Sequence, residues 1–186
     1  MYLVVGLGNP GIKYLKNLHN LGFMAVELLA EQNGVTFGKK GFKGEYGEKN
    51  IDGNKVIFLK PQTFMNLSGE SISEISSFYK IPPENIIVIY DDIDIPIGSL
   101  RIRRSGSAGT HNGMRNIVSC LNTTDFPRVR IGTKPSGDYE ILSYVLSDIK
   151  KEDEPLFKIS VNRAVDAVNE LIHGNSFENV MQKYNG

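Results

Sequence analysis

The sequence lacks the features that mark disulfide-bonded, zinc-binding and membrane-spanning proteins. Its single cysteine, Cys120, excludes a disulfide within the chain and argues against a structural zinc site. No apolar run approaches the roughly 20 residues that a membrane-spanning helix needs. The first residues also lack the basic segment of a signal peptide. We therefore expect a cytoplasmic protein that spans no membrane and holds no structural metal.

An excess of charge of either sign is also missing. The 21 lysines and arginines balance 21 aspartates and glutamates, so no global field attracts a polyanion. The distribution is uneven, because basic residues follow closely on Asp91, Asp92 and Asp94. The basic cluster consists of Arg101, Arg103, Arg104, Arg115, Arg128, Arg130 and Lys134. It predicts either a local patch for a phosphate-bearing partner or a solvated charged surface.

Strand-like and helix-like patterns alternate along the chain. Strands are expected at 2–6, 44–49, 55–60, 86–90, 99–103 and 128–132. Helices are expected at 19–33, 67–80, 112–121 and 151–173, followed by a short helix with Asn175 as its N-cap. We predict an α/β fold, a single-domain three-layer sandwich over residues 1–186 with a twisted mixed β-sheet flanked by helices.

Apolar spacing within the predicted helices indicates which side chains face the core. The side chains expected to point inward are Ile72, Ile75, Phe78, Tyr79, Ile117, Cys120 and Leu121. The glycine-rich stretch 104–113 is too short to divide two domains, so we interpret it as a functional loop.

The opening stretch VVGLGNPGIKY, residues 4–14, carries the G-x-G-x-x-G spacing of dinucleotide-binding loops. Such a site needs a helix that begins within the glycine motif and an acidic residue ~20 positions further on. Pro10 interrupts the motif, the helical pattern starts only near residue 18, and the acidic residue is missing. The sequence therefore favours a tight turn over the rival hypothesis, a nucleotide-binding oxidoreductase.

Polar side chains lie at predicted strand ends and helix starts, where α/β proteins place their sites. The positive end of a helix would keep His19 neutral and able to accept a proton. Asp91 follows the central strand and, if close to His19, would orient the imidazole ring. Asn66 and Asn112 precede helices and are suitable donors to an oxyanion. Capping or surface roles for His19 and the asparagines, and a hydrated turn or magnesium site around Asp91, remain open alternatives.

The motifs of other hydrolases are missing. The chain has no G-x-S-x-G, no H-E-x-x-H and no Walker A spacing. The remaining chemistry is a water molecule activated by a base, with neutral polar groups as stabilisers.

Six stretches together resemble the bacterial peptidyl-tRNA hydrolase family, in its order and near its spacing. They are GLGNPGIKY, LHNLG, KPQTFMNLSG, DDIDIPIGSLRIR, GSAGTHNGM and FPRVRIGTKP. The resemblance covers almost the whole chain. It implies a monomeric α/β enzyme without metal, cofactor or obligate protein partner. The implied reaction is cleavage of the ester that joins a peptide to the terminal ribose of tRNA, which recycles prematurely released peptidyl-tRNA.

The resemblance also implies roles for individual residues. His19 is the implied proton acceptor, Asp91 supports it, and Asn9 distinguishes blocked from unblocked aminoacyl-tRNA. The implied substrate-binding residues are Tyr14, Phe64, Met65, Asn66, His111 and Asn112. We expect tRNA phosphates at arginines after the strand at 86–90 and around residues 128–130, with Arg101, Arg103 and Arg130 as the candidates.

The chain departs from the family pattern in three places. The family commonly has T-R-H-N where this chain has Asn17, Leu18, His19 and Asn20, so a positive charge beside the base is lost. Thr110 and Met114 replace a glycine and a leucine around H-N-G, and the loop after Gly132 is shortened. A second rival, an RNA-binding module without catalysis, is disfavoured by the retention of His19, Asp91 and both asparagines.

Overall fold

The computed structural model describes residues 1–186 and builds one seven-stranded sheet with six helices. The strands are β1 (Tyr2–Gly6), β2 (Lys39–Gly41), β3 (Gly44–Ile51), β4 (Asn54–Pro61), β5 (Ile86–Pro96), β6 (Leu100–Arg103) and β7 (Arg128–Lys134). The helices are α1 (Leu21–Gln32), α2 (Ser68–Tyr79), α3 (Asn112–Leu121), α4 (Ile141–Val145), α5 (Glu154–Ile172) and α6 (Phe177–Tyr184).

The sheet is mixed, with the strand order β2-β3-β4-β1-β5-β7-β6. Strand β1 pairs in parallel with β4 and β5, and β5 pairs in parallel with β7. The outer pairs β2-β3, β3-β4 and β6-β7 are antiparallel. The predicted α/β class and mixed sheet are confirmed, because helices cover both faces.

Two apolar cores lie on opposite faces of the sheet. Side chains of α1, α5 and α6 pack on one face, and those of α2 and α3 pack on the other. Burial on both faces explains why β1 and the first half of β5 read as continuous apolar runs without alternation. None of the helices combines the length and the apolar character that a bilayer crossing requires.

Several predicted details are wrong at the ends and surfaces of elements. Phe78 is 68% exposed, because it lies about 120° around the helix from Ile72. Cys120 is only half-buried, and its thiol donates to Asn116 Oδ1. The N-cap of α6 is Ser176 rather than Asn175, since its hydroxyl accepts from the Asn179 backbone N–H. Helix α4 lies in a segment for which the sequence predicted no element.

The opening glycines pack a helix closely against the sheet. A Cβ atom on Gly6 would overlap the Gly22 carbonyl, and one on Gly8 would overlap the Phe23 ring. Helix α1 starts at Leu21, well after the glycine motif. The sequence predicted a late start, and this feature argues against a dinucleotide-binding loop. Gly11 has a φ of 115°, which side chains rarely adopt. The glycines therefore serve turn and packing geometry.

The end of the chain covers the outer edge of the sheet. Gly186 exchanges backbone hydrogen bonds with Leu100, and Asn185 Oδ1 accepts from the Ile102 N–H. Arg163 of α5 donates to the carbonyl oxygens of Tyr184 and Gly186. This pairing satisfies edge groups of β6 that would otherwise be open to another strand.

Replacement of Gly22 by alanine should destabilise the fold by about 2 kcal/mol or more, because the new Cβ meets the Ile89 carbonyl and the Leu7 backbone. Urea unfolding measures the change. Gly38→Ala is the matched control, since its Cβ would meet only ordinary contacts. Equal stability of the two variants would contradict this packing argument.

Candidate active site

The parallel strands deliver the predicted polar residues to one edge of the sheet. The chain leaves β1 into the loop that carries Asn9, and a 3₁₀ turn, Leu18–Asn20, then carries His19. Strand β4 leads to the loop with Asn66, and Asp91 lies within β5 itself, which runs on to Pro96. Because carboxyl ends of parallel strands share one edge, residues distant in sequence meet here.

The structure brings His19 and Asp91 into direct contact. His19 Nδ1 lies 2.9 Å from Asp91 Oδ1 and 2.8 Å from Oδ2. A carboxylate accepts only, so Nδ1 carries the proton in the neutral ring. Nε2 of His19 makes no hydrogen bond within the protein and keeps its lone pair. The arrangement fixes the direction of the ring and leaves Nε2 free to act as a base.

A second histidine reaches the same carboxylate from the other side. His111 Nε2 lies 3.1 Å from Asp91 Oδ1, while its Nδ1 accepts the Met114 backbone N–H at 3.2 Å. His111 is thus the N-cap of α3, and accepting at Nδ1 places its ring proton on Nε2. A proton on both ring nitrogens would remove the acceptor at Nδ1 and break the hydrogen bond that caps α3. The two imidazoles therefore have different roles although their centroids are 5.0 Å apart.

The protonation of Asp91 is determined by these two rings. Burial raises the pKa of Asp91, but electrostatic attraction to His19 and His111 and the hydrogen bonds of both rings outweigh it and hold that pKa well below its usual range. The carboxylate therefore stays ionised. Tyr90 stacks edge-on against His111, and burial raises the pKa of Tyr90 to about 12. It remains a neutral wall of the site.

His19, Asp91 and His111 also form the one group of side chains spaced to hold a metal ion, with ligand atoms within 4.8 Å of one another. A metal on His111 Nε2 needs the lone pair of that nitrogen. The Met114 N–H occupies the lone pair of Nδ1 and so fixes the proton on Nε2. The donor set therefore disfavours a metal and favours a proton-transfer site.

Asn9 is buried within a network of amides. Its backbone N–H donates to Asn20 Oδ1, Asn20 Nδ2 donates back to the Asn9 carbonyl, and Asn9 Oδ1 accepts from the Met65 N–H at 2.7 Å. One lone pair of Asn9 Oδ1 is therefore engaged by the protein. Its Nδ2 donates to no protein group and is available to a substrate.

The remaining predicted binding residues surround this network. Phe64 and Asn66 are exposed, and Met65 between them is buried against Gly113 at the start of α3. The Tyr14 and Phe64 rings meet edge-to-face, with centroids 6.5 Å apart. Asn112 is the first residue of α3, and its side chain is exposed to solvent.

The backbone at Phe64 is strained. Its φ of 61° and ψ of 161° fall in a region that is almost exclusive to glycine. Hydrogen bonds on both sides hold it there: Asn9 Oδ1 takes the Met65 N–H, and the Phe64 carbonyl accepts from the Leu67 N–H. Strain maintained in this way is frequent at functional sites.

The predicted arginines fall into three environments. Arg101 and Arg103 on β6 make no ion pair, and each donates only to a neighbouring carbonyl. Arg130 lies directly across from Arg101 and pairs with Asp92 at 3.2 Å. Arg128 does not fit the expected phosphate role: it is 2% exposed and donates to the Ser107 and Thr124 carbonyls. It holds the glycine loop that leads to His111.

A cleft of about 330 Å³ opens beside the two histidines. His19, Asp91, His111, Asn112 and Arg130 line it, whereas Asn9, Tyr14, Phe64, Met65 and Asn66 lie outside its lining.

Sequence reasoning missed the opposite wall of the cleft, which α4 forms with Ile141, Leu142 and Val145. Glu140 caps this helix by accepting from the Ser143 and Leu142 N–H groups. The Ser143 side chain and these N–H groups hold the pKa of Glu140 below its ordinary value. A cap residue followed by apolar spacing in EILSYV was the available signal.

Comparisons with known proteins agree with this geometry. The model of the family described as peptidyl-tRNA hydrolase matches residues 3–186. The peptidyl-tRNA hydrolase of Alkaliphilus metalliredigens is 53% identical, and that of Caldanaerobacter subterraneus is 46% identical, each covering 100% of both chains. The crystal structure of peptidyl-tRNA hydrolase from Acinetobacter baumannii superposes with a TM-score of 0.92 at 37% identity, covering 100% of this chain and 96% of that one.

Replacement of Phe64 by glycine should give a more stable protein than replacement by alanine, by about 1 kcal/mol, because only glycine relieves the backbone strain. Both variants remove the ring, so their difference in urea midpoint isolates the backbone. An alanine variant as stable as the glycine variant would show that the site is unstrained.

Proposed function

The chain belongs to the peptidyl-tRNA hydrolase family and hydrolyses the ester of peptidyl-tRNA, and we propose that His19 is the general base of this reaction. The observation that carries the proposal is the contact of His19 Nδ1 with the buried Asp91 carboxylate. It leaves Nε2 free to accept a proton from water. The cleft beside the ring provides room for that water and for the ester.

In the proposed mechanism, Nε2 of His19 takes a proton from water as the oxygen attacks the ester carbonyl. Asp91 stabilises the imidazolium that forms. Collapse of the tetrahedral intermediate breaks the bond to the terminal ribose oxygen, which takes the proton back from His19. The products are a free peptide carboxylate and tRNA. Asn66 and Asn112 position the substrate and donate to the developing oxyanion.

We propose that Asn9 selects substrates with a blocked amine. The Met65 N–H holds the Asn9 oxygen in place, and in this proposal Asn9 turns its Nδ2 donors toward the substrate. The carbonyl of an N-acyl group can accept from them. A free α-ammonium is itself a donor and would meet another donor, with nothing to replace its lost hydration. Discrimination of this kind comes from leaving the polar group of the wrong substrate unpaired.

Cationic side chains beside the cleft are proposed to hold the tRNA backbone. Arg101 and Arg103 carry charges that no carboxylate neutralises, whereas Arg130, across from Arg101, is paired with Asp92. Cationic side chains without a carboxylate partner are suited to phosphate contacts, and this supports the assignment. Tyr14 and Phe64, with exposed ring surface, are proposed to contact the tRNA end.

We further propose that the enzyme works as a monomer in the cytoplasm, without a cofactor. Both sheet edges support a monomer: β2 exposes Lys39 and Lys40, and residues 185–186 cover β6. The cytoplasm is where charged and peptidyl-tRNA are present.

Replacement of His19 by alanine should lower kcat at least ~10²-fold, the usual contribution of a general base, while tRNA binding persists. His173→Ala, on the exposed end of α5, is the matched control. Near-normal turnover by the His19 variant would remove this residue from the mechanism.

Replacement of Asp91 by asparagine should move the acid limb of the pH–rate profile to lower pH, because the charge that stabilises imidazolium is gone. An unchanged profile would count against the pairing of Asp91 with the base.

Replacement of Asn9 by aspartate should reduce selectivity for blocked substrates. The new carboxylate still accepts from the Met65 N–H, but it replaces the Nδ2 donors with an anionic oxygen that favours an ammonium. We expect slower hydrolysis of N-acetyl-aminoacyl-tRNA and a smaller preference over free aminoacyl-tRNA. The measurement is the ratio of kcat/KM for the two substrates. A variant that slows both equally would show that Asn9 only shapes the loop.

Reversal of charge at Arg103, to glutamate, should raise KM for tRNA substrates more than it lowers kcat. It should also make the salt dependence of KM shallower, because phosphate contacts are lost. Lys158→Glu makes the same change of net charge on α5, away from the arginines, and serves as the control. If both variants behave alike, the phosphate assignment on β6 fails.

A further inference from the structure

The short turn that carries His19 is held from both sides by its neighbours. The 3₁₀ turn Leu18–Asn20 has no side-chain cap of its own. On one side, Asn20 is joined by two hydrogen bonds to Asn9. A three-residue 3₁₀ turn has weak hydrogen-bond geometry, so its position depends on such outside contacts.

On the other side, the turn is joined to the segment 147–149. The Leu18 N–H donates to the Ser147 carbonyl at 3.1 Å, and the Ile149 N–H donates to the Lys16 carbonyl at 2.9 Å. Asn17 stands at the cap position of the turn, yet its Nδ2 donates outward to Asp148 Oδ1 at 2.6 Å. This contact spans 131 residues of sequence.

The segment 147–149 directly follows the cleft wall. Helix α4 supplies Ile141, Leu142 and Val145 to the cleft, and Tyr144 Oη donates to the Thr133 carbonyl at 2.7 Å. The Asn17–Asp148 contact therefore joins the two elements between which substrate must lie: the base and the α4 wall.

The contact is poorly explained by stability alone. Asn17 is 3% exposed, and its Oδ1 is buried without a hydrogen-bond partner. An unpaired buried acceptor offsets much of what the bond to Asp148 contributes. A contact that leaves an unpaired buried acceptor points to a role in positioning.

We propose that Asn17 and Asp148 are positioning residues, a latch that fixes the His19 turn against the α4 wall. This inference rests on the proposed role of His19 as the base. The latch touches neither the substrate nor the arginines. It acts on the chemical step through the placement of Nε2, and a small displacement of a catalytic group lowers kcat strongly.

The test is reversal of the pair. Asn17→Asp sets two carboxylates against each other, and we expect kcat to fall about tenfold or more with KM for N-acetyl-aminoacyl-tRNA little changed. Asp148→Asn keeps an acceptor for Asn17 and should be mild. The double variant Asn17→Asp/Asp148→Asn restores one amide–carboxylate bond in the opposite sense, and kcat should recover to within about twofold of the parent.

Asn33→Ala is the matched control for Asn17→Ala. Asn33 also makes a long-range side-chain hydrogen bond, to Asn169 at 3.1 Å, but away from the site. All variants are assayed well below their unfolding midpoints. A double variant no faster than Asn17→Asp, or an Asn17→Ala no slower than Asn33→Ala, would overturn the latch.

His19→Ala, assayed in parallel, separates the two proposals. If it retains turnover, the base assignment fails. If it loses turnover while the Asn17 and Asp148 variants behave like the control, only the latch fails.

Discussion

The Asp91 carboxylate receives hydrogen bonds from both helical layers, at the edge of the sheet that carries the candidate active site. His19 lies just before α1, which packs on one face, and His111 caps α3, which packs on the other. Both rings donate to this single buried group on β5. Without the two donors, burial would raise the pKa of this carboxyl group, and without the carboxylate the His19 ring would lose the partner that fixes its direction. The layers of the fold and the chemistry of the site thus depend on the same hydrogen bonds.

Neutral amides hold the loops next to this charged carboxylate in position. Asn9, Asn20 and the Met65 N–H hydrogen-bond to one another. The bond from the Met65 N–H to Asn9 also fixes the backbone next to the strained Phe64. An amide network of this kind defines an orientation without adding charge, which suits the discrimination proposed for Asn9.

Much of this could be predicted from the sequence. Continuous apolar runs indicated β1 and β5. Polar residues at strand ends and helix starts indicated the edge of the sheet, and the family resemblance implied that Asp91 supports His19. The failures have physical causes. The exposure of Phe78 depends on the exact phase of its helix, and the choice of Ser176 as N-cap depends on a shift of one residue. Arg128 was grouped with the other arginines of the basic cluster, because the charge of a residue does not indicate whether its side chain is buried. The contact between Asn17 and Asp148 spans most of the chain, and no local sequence pattern predicts it.

The fixed tautomer of His111 has a consequence for the electric field of the site. With both rings donating to Asp91, the three-residue centre carries one negative charge, on the buried carboxylate. Asp94 lies further along β5, Asp92 is paired with Arg130, and Arg101 and Arg103 lie two strands away on β6. If β6 holds phosphates as proposed, a polyanion is repelled near the carboxylate and attracted toward β6. The same proposal leaves the uncharged ester as the part of the substrate that can approach the imidazole.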